Sequence, residues 1–232
     1  MQQLEICFDF ETCARTANAA VMSLGAVPWV RDTEAARPFL DIKEDGFFFT
    51  TFDLRHCVVD GFDFEQETIN WWSRQSEDAK MALMTEKPVP VDVGIIKFFG
   101  WVKALAGHYG VSMENVYFWC QGTDFDASIL RNICYKYDIE MPVKYYNLRD
   151  CRTYIKEASD LIRRSEGIMP FTHDDEKKFM REIMRRNLSD EELDNKQPHS
   201  ALSDCRYSIL RTWSLMCELH HGFTFSSEPE EP

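Results

Sequence analysis

The sequence predicts an α/β fold built on a mixed five-stranded sheet, three antiparallel strands followed by two parallel ones, flanked by helices. Two observations carry this prediction. The first half of the chain opens with three β-rich runs joined by polar, Gly- and Pro-punctuated loops, the signature of a meander. The second half alternates short apolar runs with helical periodicity, the signature of βα units, which place helices on the faces of a sheet.

The elements follow in order. Leu4, Ile6, Phe8 and Phe10 alternate with Glu5, Cys7, Asp9 and Glu11, a period of two that marks a strand and sets Asp9 and Glu11 on one face. Residues 19–30 and 46–52 are the second and third β runs. From Glu65 the period becomes helical through Ile69 and Trp72, and Ser76 is the expected N-cap of a second short helix reaching Leu83. Pro88 and Pro90 end it. Residues 91–109 space Val91, Ile95, Phe98, Val102 and Leu105 for a helix facing the core. Residues 115–120 form a buried strand, followed by a loop at Gly122 and a helix carrying Ile129, Leu130 and Ile133. A last strand is expected over residues 144–148, then a helix capped by Asp150 and running to about Asp160. Residues 161–197 are charge-rich and weakly periodic, and are expected to be an insertion. Residues 198–221 form a closing helix. The expectation is one domain over residues 1–225 with an acidic, disordered tail at 226–232.

Composition narrows the function classes. The 232 residues are 44% hydrophobic and 13% aromatic, which excludes disordered and fibrous chains. No run approaches the ~18 to 20 apolar residues that span a bilayer, so no membrane partner is expected. The eight cysteines contain no C-x-x-C pair and are expected to be buried, reduced thiols. With 26 basic and 39 acidic residues the formal charge is −13. That sign is wrong for a protein that grips nucleic acid by its overall field. Any such role must work through a local patch and a bound cation.

The carboxylates supply the means for that cation. If the first strand is central and the strand ending at Cys120 is its parallel neighbour, Asp9, Glu11 and Asp126 converge at the carboxyl edge where open sheets place their sites. The closing helix adds Asp204, on a face shared with the small residues Ala201, Ser208 and Thr212 that would let it press against the sheet. Acids so close repel unless a hard cation neutralises them, and Mg²⁺ or Mn²⁺ suits all-oxygen ligands. His199, at the start of that helix, titrates near neutrality and can accept a proton from water.

The ordered set Asp9-Phe10-Glu11-Thr12, Phe125-Asp126 and His199-x-Ala201-x-x-Asp204 resembles the three motifs of the DEDDh 3′-to-5′ exonucleases, the proofreading superfamily with an RNase H-like fold. Thr68-Ile69-Asn70-Trp71-Trp72 with Gln75-Ser76, and Asn147-Leu148-Arg149-Asp150-x-Arg152-Thr153, are similar to tailed-phage exodeoxyribonuclease A and a related bacterial exoribonuclease group. The resemblance implies that Asp9, Glu11, Asp126 and Asp204 bind two divalent ions, Mg²⁺ or Mn²⁺, and that His199 activates the attacking water. It further implies release of nucleoside 5′-monophosphates from 3′ ends of single-stranded DNA or RNA, in the cytoplasm of a bacterium or of a phage-infected host. DNA is placed ahead of RNA because the Trp-Trp and Arg-Asp runs look most like the phage enzyme. An exoribonuclease and a phosphohydrolase of small nucleotides or dinucleotides are the alternatives, and a homodimer is entertained.

Substrate contacts are expected from Phe10 and Thr12, beside the acidic pair, with the Thr12 main chain and hydroxyl meeting the terminal sugar. Trp71 and Trp72 point about 100° apart on a helix, so one can stack on a base; Trp72 with Gln75 is the expected pair. Arg149 and Arg152 open a helix at the site end of the sheet, and Arg149 is the expected phosphate ligand. Asp124 is expected to be an N-cap rather than a ligand. Lys177, Lys178, Arg181 and Arg185 within the charged stretch suggest a basic arm leading a strand toward the metals.

Overall fold

The computed structural model describes residues 3–40, 46–83, 87–167, 173–189, 192–193 and 200–225; His199 and the acidic tail 226–232 lie outside them. Strands β1 (Leu4–Thr12), β2 (Val21–Trp29) and β3 (Phe48–Thr51) pair antiparallel, and β4 (Val116–Cys120) and β5 (Leu148–Asp150) continue the sheet in parallel from β1. The sheet order is β3-β2-β1-β4-β5. The expected mixed sheet is present, and β1 lies at its centre, where both edges are hydrogen-bonded.

Alternation along β1 sends its two sets of side chains into two different cores. Leu4, Ile6, Phe8 and Phe10 face helices α4 (Val91–His108) and α5 (Asp126–Lys136), where Phe8, Phe98 and Phe118 pack with ring centroids 5.5 to 6.3 Å apart. Cys7 points the other way. With Val27, Trp29 and Trp119 it meets α6 (Cys151–Ser165), α7 (His173–Asn187) and α8 (Ala201–Phe225). Both faces are thus covered, as a parallel pair at the centre of a sheet requires. All eight cysteines are free and buried, as expected of thiols acting as small hydrophobes. Among the described residues no helix is long and apolar enough to cross a membrane.

Between the meander and α4 lie α1 (Leu54–Val59), α2 (Gln66–Ser73) and α3 (Glu77–Met81). The expected cap Ser76 accepts a hydrogen bond from the Ala79 amide at 3.2 Å. Helix α1 was not foreseen; Asp53 caps it by accepting from the Arg55 amide at 3.0 Å.

Two expectations need correction. The fifth strand is not at 144–148: Tyr145–Asn147 form a 3₁₀ turn and the strand is Leu148–Asp150. Asn147 is buried there, its side-chain amide donating to the carbonyls of Glu114 and Val116 at 2.8 and 3.1 Å, which fixes the turn against the start of β4. The charged stretch is also more regular than its composition suggests. Residues 161–165 continue α6, and α7 buries Phe179, Met180, Ile183 and Met184 against the second core. Ile183 is wholly buried, so Ile183→Ala is expected to destabilise the protein by about 2 to 5 kcal/mol, read from urea unfolding. A loss under about 0.5 kcal/mol, the range of surface substitutions, would show that α7 does not pack as described.

Candidate active site

Strand β1 carries Asp9 and Glu11 on the face turned toward α8. Parallel pairing of β1 with β4 brings the loop after Cys120 to the same edge of the sheet. That loop turns at Gly122, whose φ of +124° is open to glycine and strained for any other residue. The amides of Phe125 and Asp126 both donate to the Gly122 carbonyl, at 3.0 and 3.1 Å, and α5 begins at Asp126. Asp126 is buried and its Oδ1 accepts from the Phe10 amide at 3.1 Å, so the backbone between the two strand acids holds the third acid in place. Asp150 secures the loop from the other side. Its Oδ1 caps α6 through the Thr153 amide at 3.0 Å, as expected, while its Oδ2 accepts from the Thr123 amide at 2.8 Å. Asp124 does not cap α5: the N-cap position is Phe125, with no side-chain cap.

Helix α8 supplies Asp204. Carboxylate oxygens of Asp9, Glu11 and Asp204 lie within 4.8 Å of one another, close enough to share one cation. This approach depends on a glycine that sequence reasoning passed over. Gly25 of β2 pairs with Asp9, and a Cβ built there would stand 2.7 Å from the Leu202 amide nitrogen, 2.8 Å from the Ala201 carbonyl carbon and 2.9 Å from the Ala201 Cβ. The small face of α8 completes the contact. Ala201 and Thr212 are fully buried, and Ser208, also buried, donates to Gln121 Oε1 at 2.9 Å.

The electrostatics follow from this crowding. Burial, then Asp204 and Asp126, push the Glu11 carboxyl up to about 8. Burial pushes Asp126 up to about 7, against the opposing pull of the Phe10 amide and the Arg152 guanidinium. Asp9, although one edge still reaches solvent, is held well above the carboxylate range by its surroundings and by Asp126, Glu11 and Asp204. Glu11 Oε1 is buried with no hydrogen-bond partner among the described residues. A buried acceptor left without a donor inside a set of mutually repelling oxygens fits a cation. Oxygen-only ligands select a hard divalent ion such as Mg²⁺ or Mn²⁺.

Of the expected substrate residues, Phe10, Trp72 and Arg149 take positions other than those assigned. The Phe10 ring is buried in the core and packs edge-on against Phe8, so Phe10 acts on the site through its amide. The Thr12 hydroxyl donates to the Ala14 carbonyl at 2.7 Å. Trp72 is not the exposed indole: it is buried, with its Nε1 donating to the Thr12 carbonyl at 2.9 Å. Trp71 is the tryptophan at the surface, 42% exposed, lining a cavity of ≈ 540 Å³ with Arg15, Asn70 and Arg74. Gln75 is half-buried and donates to the Trp71 carbonyl at 3.0 Å. Arg149 is turned away from the acids, donating to the Tyr146 carbonyl at 2.8 Å with its guanidinium over the Tyr117 ring. Arg152 is the arginine that faces Asp126, and it donates to the Gln121 carbonyl at 2.9 Å. His199 lies outside the described residues.

Residues 4–210 match the profile of the 3′-5′ exoribonuclease Rv2179c-like domain. The chain belongs to this family. The chain is 29% identical over 170 residues to an exodeoxyribonuclease of Enterobacteria phage T4, covering 67% of this chain and 71% of that one. Among solved structures, cell-death related nuclease 4 (CRN-4) aligns with a TM-score of 0.58 at 15% identity, over 94% of this chain and 64% of its own. ExoI in an ExoI/SSB-Ct complex aligns at 0.50 with 12% identity, over 97% of this chain and 43% of its own. The chain therefore spans less than two thirds of either nuclease. The expected mixed five-stranded fold is shared with these nucleases, and the family to which the chain belongs is one of 3′-5′ exonucleases. The homodimer finds no support in these relatives.

Two predictions follow from the geometry. The carboxyls of Glu11 and Asp126 are raised by folding, so their contribution to stability is complete below their unfolded values near 4 and is lost as pH rises to about 8 for Glu11 and about 7 for Asp126. In EDTA the melting temperature should therefore fall from about pH 5 to about pH 8, and Mn²⁺ should restore more of it at the higher pH. A melting temperature independent of pH across that window, in EDTA, would contradict the crowding. Second, Gly25→Ala must displace the start of α8, and with it Asp204. A loss of about 10- to 100-fold in Mn²⁺ affinity is expected, as for other supports of metal ligands, measured by titration of melting temperature. Wild-type affinity in this variant would refute the role given to Gly25.

Proposed function

We propose that the protein hydrolyses single-stranded nucleic acid from its 3′ end, releasing nucleoside 5′-monophosphates, with two divalent cations, Mg²⁺ or Mn²⁺, in the carboxylate cluster. The observation that carries this reading is the convergence of Asp9, Glu11 and Asp204 within 4.8 Å beside buried Asp126. These four side chains would hold the cations. Bound there, the cations would polarise the scissile phosphate and stabilise the attacking and leaving oxygens.

The chain's own residues do the remaining work. Asp126 keeps its orientation through the Phe10 amide, and Gly25 lets Asp204 reach the strand acids. His199 takes the proton of the attacking water, the general-base role that an imidazole can fill. Trp72 ties α2 to the Thr12 carbonyl at the end of β1. That bond sets neighbouring Trp71 at the surface, where its exposed indole, with Arg74 beside it and Arg15 paired to Glu65 and Glu67, offers a base a stacking face and the adjoining phosphate the guanidinium of Arg74.

DNA is placed ahead of RNA on the strength of the phage relative, whose name is that of a deoxyribonuclease. The family profile, described as an exoribonuclease, favours the second reading. Both are tested with 5′-labelled strands of matched sequence in Mg²⁺, Mn²⁺ or EDTA. A metal-dependent ladder shortening by single nucleotides is expected, with DNA degraded faster, and Asp9→Asn or His199→Ala should slow it by about a hundredfold or more. Activity in either variant within about tenfold of wild type would overturn the assignment of that residue. Metal-dependent hydrolysis confined to dinucleotides would replace the polymer reading with a small-nucleotide one.

A further inference from the structure

A second cavity, of ≈ 530 Å³, opens between α6, α7 and α8. Its lining includes Arg152, Lys156, Arg163, Lys177, Arg181 and Arg211. Set against them is Glu176 in the lining, paired with Lys156, and Asp160 beside it, paired with Lys156 and Arg163. The lining thus keeps a surplus of positive charge in a chain whose formal charge is −13. Arg211 adds a second observation. Its Nε is buried with no hydrogen-bond partner among the described residues, beside the Tyr207 ring. A guanidinium stays ionised in a protein, so burying one without an acceptor costs free energy that an anion would recover.

The shape of the cleft says which anion. Arg152, Lys156 and Arg163 fall four and seven residues apart on one face of α6, and span about 16 Å at 1.5 Å per residue. Lys177 and Arg181 form a four-residue pair on α7. Charges spread along a cleft suit a repeating anion better than a compact one, which needs donors aimed at a single point. The apolar side chains of Ile155, Phe179 and Met180 lie between them. The near end adjoins the carboxylates, because Arg152 binds the Gln121 carbonyl at the start of the loop that carries Asp126, and its charge is felt by Asp126.

We propose that this cleft binds the phosphodiester backbone of the substrate strand several nucleotides 5′ of the scissile bond, with Arg152 as the link to the metal cluster. The proposal rests on the nuclease reading above and adds a location: the α6-α7-α8 layer, a cavity separate from that at Trp71, gives the enzyme its grip on long strands. It also explains how an acidic protein holds a polyanion.

The test uses the full chain with exposed Lys177 and Arg181 changed together to Gln, which leaves the core side of α7 intact, and with Arg211→Gln as a second variant. Binding of a labelled single strand of about twenty nucleotides is followed in EDTA against salt. The strand-to-dinucleotide ratio of kcat/KM is measured in Mn²⁺. Loss of two phosphate contacts should reduce the salt slope by about 1.4, at about 0.7 per contact for single strands, and lower that ratio about tenfold. An unchanged slope and ratio in both variants would overturn the proposal and leave the nuclease reading standing. A reduced slope in a protein whose wild type shows no metal-dependent hydrolysis would support the cleft and overturn the nuclease reading. Inorganic pyrophosphate raising the melting temperature of wild type but not of Arg211→Gln, with strand binding unaltered in both variants, would assign the cleft to a small anion and overturn the strand.

Discussion

Four carboxyl groups held together at one edge of a sheet are the constraint around which the rest of the structure is arranged. Left alone, Asp9, Glu11, Asp126 and Asp204 repel one another, and burial makes Asp9, Glu11 and Asp126 resist ionisation. The fold brings them together by backbone means that do not depend on their charge. Strand pairing fixes Asp9 and Glu11 on one face, the Gly122 turn and the Phe10 amide fix Asp126, and the absence of a side chain at Gly25 fixes Asp204. Each device is geometric, so the positions of the acids are set by the backbone and not by their charges.

The same geometry divides labour between the two faces of β1. Leu4, Ile6, Phe8 and Phe10 build an aromatic core that holds the strand rigid, while the opposite face changes character along its length, from Glu5 bonded to Trp119 at 2.6 Å, through buried Cys7, to the two acids. A period of two makes this possible, since every polar residue on one face has an apolar neighbour anchoring it from the other. Asp126 shows the coupling most directly: its partner is the amide of Phe10, whose ring lies in the core on the far side. Disturbing that core would misplace an acid that it never touches.

What the sequence made legible was whatever depends on local period and spacing. The alternation of β1, the helical spacing of Val91 to Leu105, the caps Ser76 and Asp150, and the order of the acids all read directly, and they sufficed for the order of the sheet and for the acids that converge at its edge. What failed depended on orientation between elements. Adjacent Trp71 and Trp72 differ only in which way α2 is rolled, and that is set by the Thr12 carbonyl, sixty residues away. Arg149 and Arg152 lie on either side of the start of α6, and the Tyr117 ring decides which of them leaves the site. In α7 the charges at 174–178 mask an apolar face of four residues that becomes evident only with a partner helix. Gly25 carries no signal at all in the sequence, because a glycine within a strand does not announce what crosses it.

The conflict between a net charge of −13 and a polyanionic substrate is resolved by distribution rather than by total. At an ionic strength of 0.15 M, charges separated by more than about 8 Å are largely screened from one another. A phosphate in the active-site edge therefore responds to the groups within that radius and little to the acidic remainder of the surface. Beside the carboxylates that group is Arg152, whose charge acts on Asp126. Away from these places the acidic surface repels a strand, which opposes binding in unproductive positions. An enzyme with a basic surface would hold strands everywhere. In the proposed reading attraction is confined to the carboxylate-held cations and to short rows of arginine and lysine, which makes an acidic composition compatible with a polyanionic substrate.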